Sequence, residues 1–244
     1  MRHSGIRSVM GTFAIALAVF SGVGPGAKHV SGASTPVEQW RQSYSDGVHL
    51  AMTVDASDNV FVAARNPRYP GETTRLFMVK YFASGTRGWI TEVSPLSADK
   101  PYVRDFIPDE EGGAFVLYAR GYPDQLFLAH VSSSGSVEWT EALGTADSDQ
   151  GTLSRSADQV VAHWIASGSP FPVLISESLT SDGTRLWHDV FQLVSGGSRV
   201  LASNITGDVA SVVVETPQGI CCDNQPLVWS HSLSGEGVAL TWIS

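Results

Sequence analysis

The sequence predicts an all-β protein built from about four copies of a four-stranded antiparallel unit, and three observations predict it. First, Trp40, Trp89, Trp139, Trp187 and Trp242 recur at intervals of 49, 50, 48 and 55 residues. The last four each follow a glycine by four or five positions: Gly85, Gly135, Gly183 and Gly237. Second, short runs rich in β-branched and aromatic residues alternate with turns of Gly, Asn, Asp and Ser. Third, no stretch carries the apolar spacing of a helix. A unit rewritten about every 50 residues is the mark of a repeat architecture.

Residues 1–33 stand apart from the repeats. Arg2, His3 and Arg7 give a positive start, Thr12 to Phe20 is an unbroken small and apolar run, and a Gly/Ser/Ala/Pro-rich stretch follows to Ala33. That order is the layout of a secretory signal, with a run too short to span a bilayer. We expect cleavage near Ala33, an exported chain of residues 34–244, and no membrane span within it. Export leaves the cell surface, the periplasm and the medium equally open. The segment 1–33 holds three of the 15 bases (Arg2, Arg7, Lys28) and none of the 24 acids, so residues 34–244 carry 12 bases and 24 acids, a net charge of −12. An acidic surface of that kind repels nucleic acid and anionic lipid.

In the first unit, His49 to Val54 reads as a strand, Ala56-Ser57-Asp58 as a turn and Asn59 to Ala64 as a second strand. Leu76 to Phe82 forms the third strand, Ala83-Ser84-Gly85-Thr86 the next turn, and the last strand runs around Trp89. The units cover roughly 48–93, 102–143, 151–191 and 198–243. LFMVKYFASGTRGW in the first returns as LFLAHVSSSGSVEW in the second and LISESLTSDGTRLW in the third. Tandem four-stranded units that bury their faces against one another predict β-propeller blades. A four-bladed ring, a ring completed by a homodimer and an incomplete propeller all remain open.

VDASDNVFVAA followed by LFMVKYFASGTRGW resembles the bacterial seven-bladed β-propeller repeat family, over roughly residues 48–244. The resemblance implies a secreted or surface scaffold that binds a protein or a carbohydrate, with no reaction attached. About seven blades would be the family norm, and this chain supplies four plus a stray strand at Trp40.

The periodic tryptophans are expected to serve packing. The loops between second and third strands carry Tyr69-Pro70, Tyr122-Pro123 and Phe171-Pro172, and the connections between units carry Asp99, Asp147 and Asp149. Aromatic rings with carboxylates on one rim suit stacking on a sugar or holding a cationic peptide. Those six residues are the candidate ligand site; packing of each ring on its own proline is the alternative. Cys221 and Cys222 are the only thiols, and in an oxidising compartment they could close a strained vicinal disulfide. Propellers of the quinoprotein dehydrogenase type place such a disulfide near their cofactor, but nothing here supplies that cofactor's cage, so no cofactor is expected.

Asp55 to Asn59 opens like a calcium loop but lacks the glycine and glutamate that complete one, so it is expected to be a plain turn and no metal site is expected. Asp109, Glu110 and Glu111 read as a solvated hairpin tip. His130 fills the slot of Lys80 and Ser178 in neighbouring units, which suggests a solvated strand face. No GxSxG, HExxH, CxxC or phosphate loop is present. A non-covalent binding scaffold is therefore the leading expectation. A small propeller enzyme (a polysaccharide lyase or hydrolase, or a redox enzyme) and a structural surface component are the alternatives.

Overall fold

The computed structural model describes residues 48–65, 74–97, 101–121, 123–146, 151–168, 170–193, 197–216, 225–234 and 238–242. They form sixteen strands, with no helix among the described residues. The first sheet is β1 (Val48–Val54), β2 (Val60–Arg65), β3 (Thr74–Tyr81) and β4 (Arg87–Ser97). The second is β5 (Tyr102–Pro108), β6 (Ala114–Arg120), β7 (Asp124–Val131) and β8 (Val137–Ala146). The third is β9 (Gly151–Arg155), β10 (Gln159–Ala166), β11 (Val173–Thr180) and β12 (Arg185–Gln192). The fourth is β13 (Arg199–Thr206), β14 (Val209–Thr216), β15 (Gln225–Ser232) and β16 (Val238–Trp242). Within every sheet the strands neighbour one another in chain order, all antiparallel.

Local chemistry accounts for the hairpins. In the β1–β2 turn, Asp55 Oδ1 accepts the N–H groups of Ser57 (2.9 Å) and Asn59 (2.8 Å), and Oδ2 accepts Asn59 Nδ2 (2.8 Å). The carboxylate is spent on its own turn, as expected of an Asx turn. The β3–β4, β7–β8 and β11–β12 turns share one design. Gly85, Gly135 and Gly183 hold φ of 81°, 86° and 88°, and the N–H of Phe82, Ser132 or Thr180 donates to the carbonyl of Thr86, Ser136 or Thr184, each at 2.9 Å. A glycine there supplies the left-handed residue of a bulged hairpin, and the ladder slips by one residue beside each turn.

The sheets pack face to face in chain order. Phe61, Ala63, Leu76 and Met78 of the first sheet share a core with Ala114, Val116, Tyr118 and Ala129 of the second. Phe115, Leu117, Leu126 and Leu128 on the other face of the second share a core with Val160, Ala162, Trp164 and Leu179 of the third. Ile165 and Leu174 then meet Val212, Val214 and Trp229 of the fourth. With partners on both faces, β6 reads as an uninterrupted apolar run, AFVLYA, buried throughout. The first strands also lie side by side, β1 against β5, β5 against β9 and β9 against β13. Asp105 Oδ2 accepts Leu153 N–H (2.8 Å) and the Thr152 hydroxyl (3.0 Å), and Thr152 Oγ1 lies 3.2 Å from Ser203 Oγ.

The tryptophans join sheets. Trp89 Nε1 donates to Ser133 O (3.0 Å), Trp139 Nε1 to Ser181 O (2.8 Å) and Trp187 Nε1 to Leu233 O (3.2 Å). Each indole of an outer strand thus caps the last turn of the following sheet. The indoles of Trp89 and Trp139 lie on Gly135 and Gly183, where a Cβ would stand 2.7 Å and 2.9 Å from ring atoms. Trp187 stacks instead on His231, with centroids 4.3 Å apart. Trp242 breaks the series. Trp89, Trp139 and Trp187 pair with Lys80, His130 and Ser178, whereas the residue opposite the equivalent Ser230 is Ala239, and Trp242 pairs with Leu227. Its 55-residue interval therefore leads to a different place in the sheet. Ser211 likewise stands where the earlier sheets have Phe61, Phe115 and Val161, and it hydrogen-bonds Ser230 at 2.8 Å. The fourth sheet thus pairs Ser211 with Ser230 where the first two sheets pair Phe61 with Lys80 and Phe115 with His130.

Candidate functional site: an acidic cleft between the second and third sheets

The cleft lies where turns of the second and third sheets meet, and has a volume of about 430 Å³. The β5–β6 turn contributes Asp109, Glu110 and Glu111, and the β9–β10 turn contributes Asp158. Glu138 is the second residue of β8, and Asp182 sits in the β11–β12 turn. Against these six carboxylates stand one guanidinium, Arg155, and one imidazole, His130.

His130 forms the floor. Its ring stacks on Phe115 (centroids 4.5 Å apart, planes at 22°), and Trp139 lies 5.9 Å away. Nε2 bonds Asp109 Oδ2 at 2.8 Å. Nδ1 lies 2.9 Å from Glu138 Oε2, close enough for an ion pair but without an aligned hydrogen bond. Carboxylates therefore hold both ring nitrogens. That fixes the ring more readily than it frees a nitrogen for proton transfer, since a general base needs its nitrogen within reach of a substrate proton.

Asp109 is half-buried, and its second oxygen accepts Gly113 N–H at 2.6 Å. Burial alone would raise its pKa and is the largest single influence. The bond from His130, the N–H groups of Gly113 and Glu111 and the His130 charge together outweigh it and hold the carboxyl below its usual value. At the rim, Arg155 meets Glu110 at 3.1 Å. Asp182 accepts the Thr180 hydroxyl and Thr184 N–H, which lowers its pKa.

Two expectations need correction here. The slot shared by Lys80, His130 and Ser178 is not a solvated face, because these residues are 5 %, 7 % and 0 % exposed. The third strand lies inside its sheet, and this position faces the following sheet. Lys80 is accommodated by donating to Gly112 O at 2.6 Å with its ammonium over the ring of Phe61. Nor is the Asp109–Glu111 tip simply solvated, since Asp109 is tied inward while Glu110 and Glu111 are exposed.

Tyr69, Tyr122, Asp99, Asp147, Asp149, Cys221 and Cys222 lie outside the described residues. Phe171 is described. It lies in the β10–β11 connection, 42 % exposed, with its carbonyl accepting Gln192 Nε2. The cleft is at the opposite end of the strands. Asp109, His130, Glu138, Arg155 and Asp158 were not singled out by sequence as a site, yet for His130 a signal existed: Lys80, His130, Ser178 and Ser230 set a polar residue at one slot of the third strand in all four units. Among the described residues, no group of three or more His, Cys, Asp and Glu is arranged to hold a metal, and no helix is long and apolar enough to cross a membrane.

No family model matches the chain, and no curated protein does. Among solved structures it is similar to a DUF4623 family protein from Bacteroides eggerthii, at 11 % identity over 78 % of this chain and 43 % of the other, with a TM-score of 0.46. It is also similar to the acylaminoacyl peptidase of Pyrococcus horikoshii, at 10 % identity over 81 % of this chain and 32 % of the other, with a TM-score of 0.46. The chain thus spans less than half the length of either protein.

Proposed function

We propose that the protein is an exported, β-propeller-type scaffold whose role is non-covalent recognition, and that the cleft between the second and third sheets takes a Lys- or Arg-bearing segment of a protein partner. The observation that carries this reading is the charge of the cleft: six carboxylates face one guanidinium and one imidazole. The propeller assignment draws support from the four like sheets stacked in chain order and from their adjoining first strands. Export draws its support from residues 1–33.

Carboxylates on exposed turns attract a cationic segment and speed its approach, and the attraction is screened by salt. His130, wedged against Phe115, keeps the floor rigid so that little order is lost on binding. The test is calorimetric titration of the protein with oligolysine, oligoglutamate and a neutral oligosaccharide, at low salt and at about 0.15 M salt. Oligolysine should bind, more weakly in salt, and the triple variant Glu110→Gln, Glu111→Gln, Asp158→Asn should lose at least about tenfold in affinity, roughly 1.4 kcal/mol. Equal binding of oligoglutamate, or an unchanged affinity in the variant, would remove the reading.

A further inference from the structure

His130 turns its two ring nitrogens to two carboxylates, and only one protonation state satisfies both. Nε2 bonds Asp109 Oδ2 at 2.8 Å, and the other oxygen of Asp109 is taken by Gly113 N–H at 2.6 Å. Nδ1 is buried, lies 2.9 Å from Glu138 Oε2 and makes no aligned hydrogen bond. A neutral imidazole carries one N–H, and the aligned bond at Nε2 takes it. Nδ1 then presents a lone pair to the Glu138 carboxylate, and the two repel. An imidazolium carries both N–H groups and attracts both carboxylates. The acids differ in freedom. Asp109 is tied inward by the Gly113 N–H, whereas the Glu138 side chain is 50 % exposed. Glu138 is the partner that can leave.

We propose that protonation of His130 switches Glu138 between the imidazole and the open cleft, so that acidification weakens the hold of the cleft on a cationic segment. The second clause rests on the reading of the cleft as a surface for Lys and Arg side chains. The other charged groups around the ring are Glu110 and Glu111 of the β5–β6 turn, Arg155, Asp158 and Asp182 of the third sheet, and Lys80 of the first. Arg155 meets Glu110 at 3.1 Å, and Lys80 donates to Gly112 O at 2.6 Å. Phe115 stacks on the ring and Trp139 lies beside it, so a charge gained there is poorly screened by water. When the ring is neutral, Glu138 turns to the cleft and all six carboxylates serve a bound cation. When it is charged, Glu138 is drawn back and the cleft gains a positive neighbour. Proton and ligand therefore oppose each other, and a bound cation lowers the proton affinity of His130 by the factor by which the proton lowers ligand affinity.

The test follows the full chain, free of ligand, by nuclear magnetic resonance from about pH 5.5 to about pH 8, where a model imidazole titrates and model carboxylates stay ionised. The side-chain carboxyl resonance of Glu138 should step at the pH at which the His130 ring nitrogens titrate, and the step should vanish in His130→Gln. Calorimetry with oligolysine should show binding about fivefold weaker at about pH 5.5 than at about pH 7.5, the effect of one charge a few ångströms off in a water-like medium. A Glu138 resonance without the step, a His130 ring that does not titrate in this range, or a step that persists in His130→Gln overturns the proposal. Equal oligolysine binding at the two pH values also overturns it, while the cationic reading of the cleft stands. Oligolysine that binds at neither pH, with the step present, removes that reading and upholds the coupling of Glu138 to His130. The two resonances of the unmodified chain decide the matter even if His130→Gln does not fold.

Discussion

The ring of Trp89 lies so close to Gly135 that a Cβ on the glycine would stand 2.7 Å from Trp89 Cγ, although 46 residues separate the two. Gly135 therefore meets two demands at once: a left-handed backbone at φ 86° and a flat seat for an indole from the preceding sheet. Gly183 does the same for Trp139.

Replacing either glycine with alanine should cost the left-handed penalty of about 1–2 kcal/mol and a similar amount for displacing the ring. Gly207 isolates the first contribution, since its φ is 62° but a Cβ there would meet nothing within 4 Å. Denaturant unfolding should rank Gly135→Ala and Gly183→Ala as clearly more damaging than Gly207→Ala. Equal losses at all three would show that the indole contact carries no weight.

Asp58 is the one non-glycine with positive φ among the described residues, at 60°. Its neighbour Asp55 makes the turn's side-chain bonds. Asp58→Gly should therefore relieve strain and stabilise the protein by up to about 1 kcal/mol. A lower melting temperature for that variant would contradict this.

His163 is fully buried, its Nδ1 2.7 Å from Ser176 Oγ and its Nε2 without a hydrogen bond. Burial, and secondarily the charge of His231, push its pKa from 6.5 down to about 3. The unfolded chain therefore binds a proton there at pH values where the folded chain does not. Stability from this group is whole above pH 6.5 and falls as pH drops from 6.5 towards 3, by about 2 kcal/mol at pH 5. His163→Gln should flatten that slope in unfolding curves taken across the range. An unchanged slope would place the acid sensitivity elsewhere.

Asp109 has the same sign, in a lower pH window. Its folded pKa lies below 3.8, so its contribution is present above that value and lost as pH falls through the lowered one. In His130→Gln the histidine's bond and charge are gone, only the Gly113 and Glu111 N–H groups still oppose burial, and this contribution should shrink or reverse. The slope of stability against pH below about pH 5 should be the readout.

Much of this was legible in the sequence. Alternating apolar runs and Gly-Ser-Asp turns carry local information, so the strands from β1 to β16 and their grouping in four antiparallel sheets follow from short stretches. What joins the sheets does not. The spacing ties Trp139 to Gly135 four residues before it, whereas the indole rests on Gly183 of the next sheet, because a side chain on an outer strand meets the sheet stacked above. Trp242 shows the same gap, since a similar interval does not fix register: nine positions after Ser230, where Trp187 follows Ser178, stands Ala239. His130 read as solvated because Lys80 and Ser178 fill its slot in neighbouring units, and polarity at one slot says nothing of a neighbouring sheet. The cleft draws on turns some 45 residues apart, Asp109 with Arg155 and Asp158, and no local pattern announces it.

The Ser211–Ser230 pair, where the first two sheets set Phe61 against Lys80 and Phe115 against His130, bears on how the molecule behaves in a crowd. A contact that joins the front of one unit to the back of the next is head-to-tail, and repeated between molecules without closing it would build filaments. The fourth sheet offers such growth a smaller and more polar pair than the first two sheets offer their neighbours.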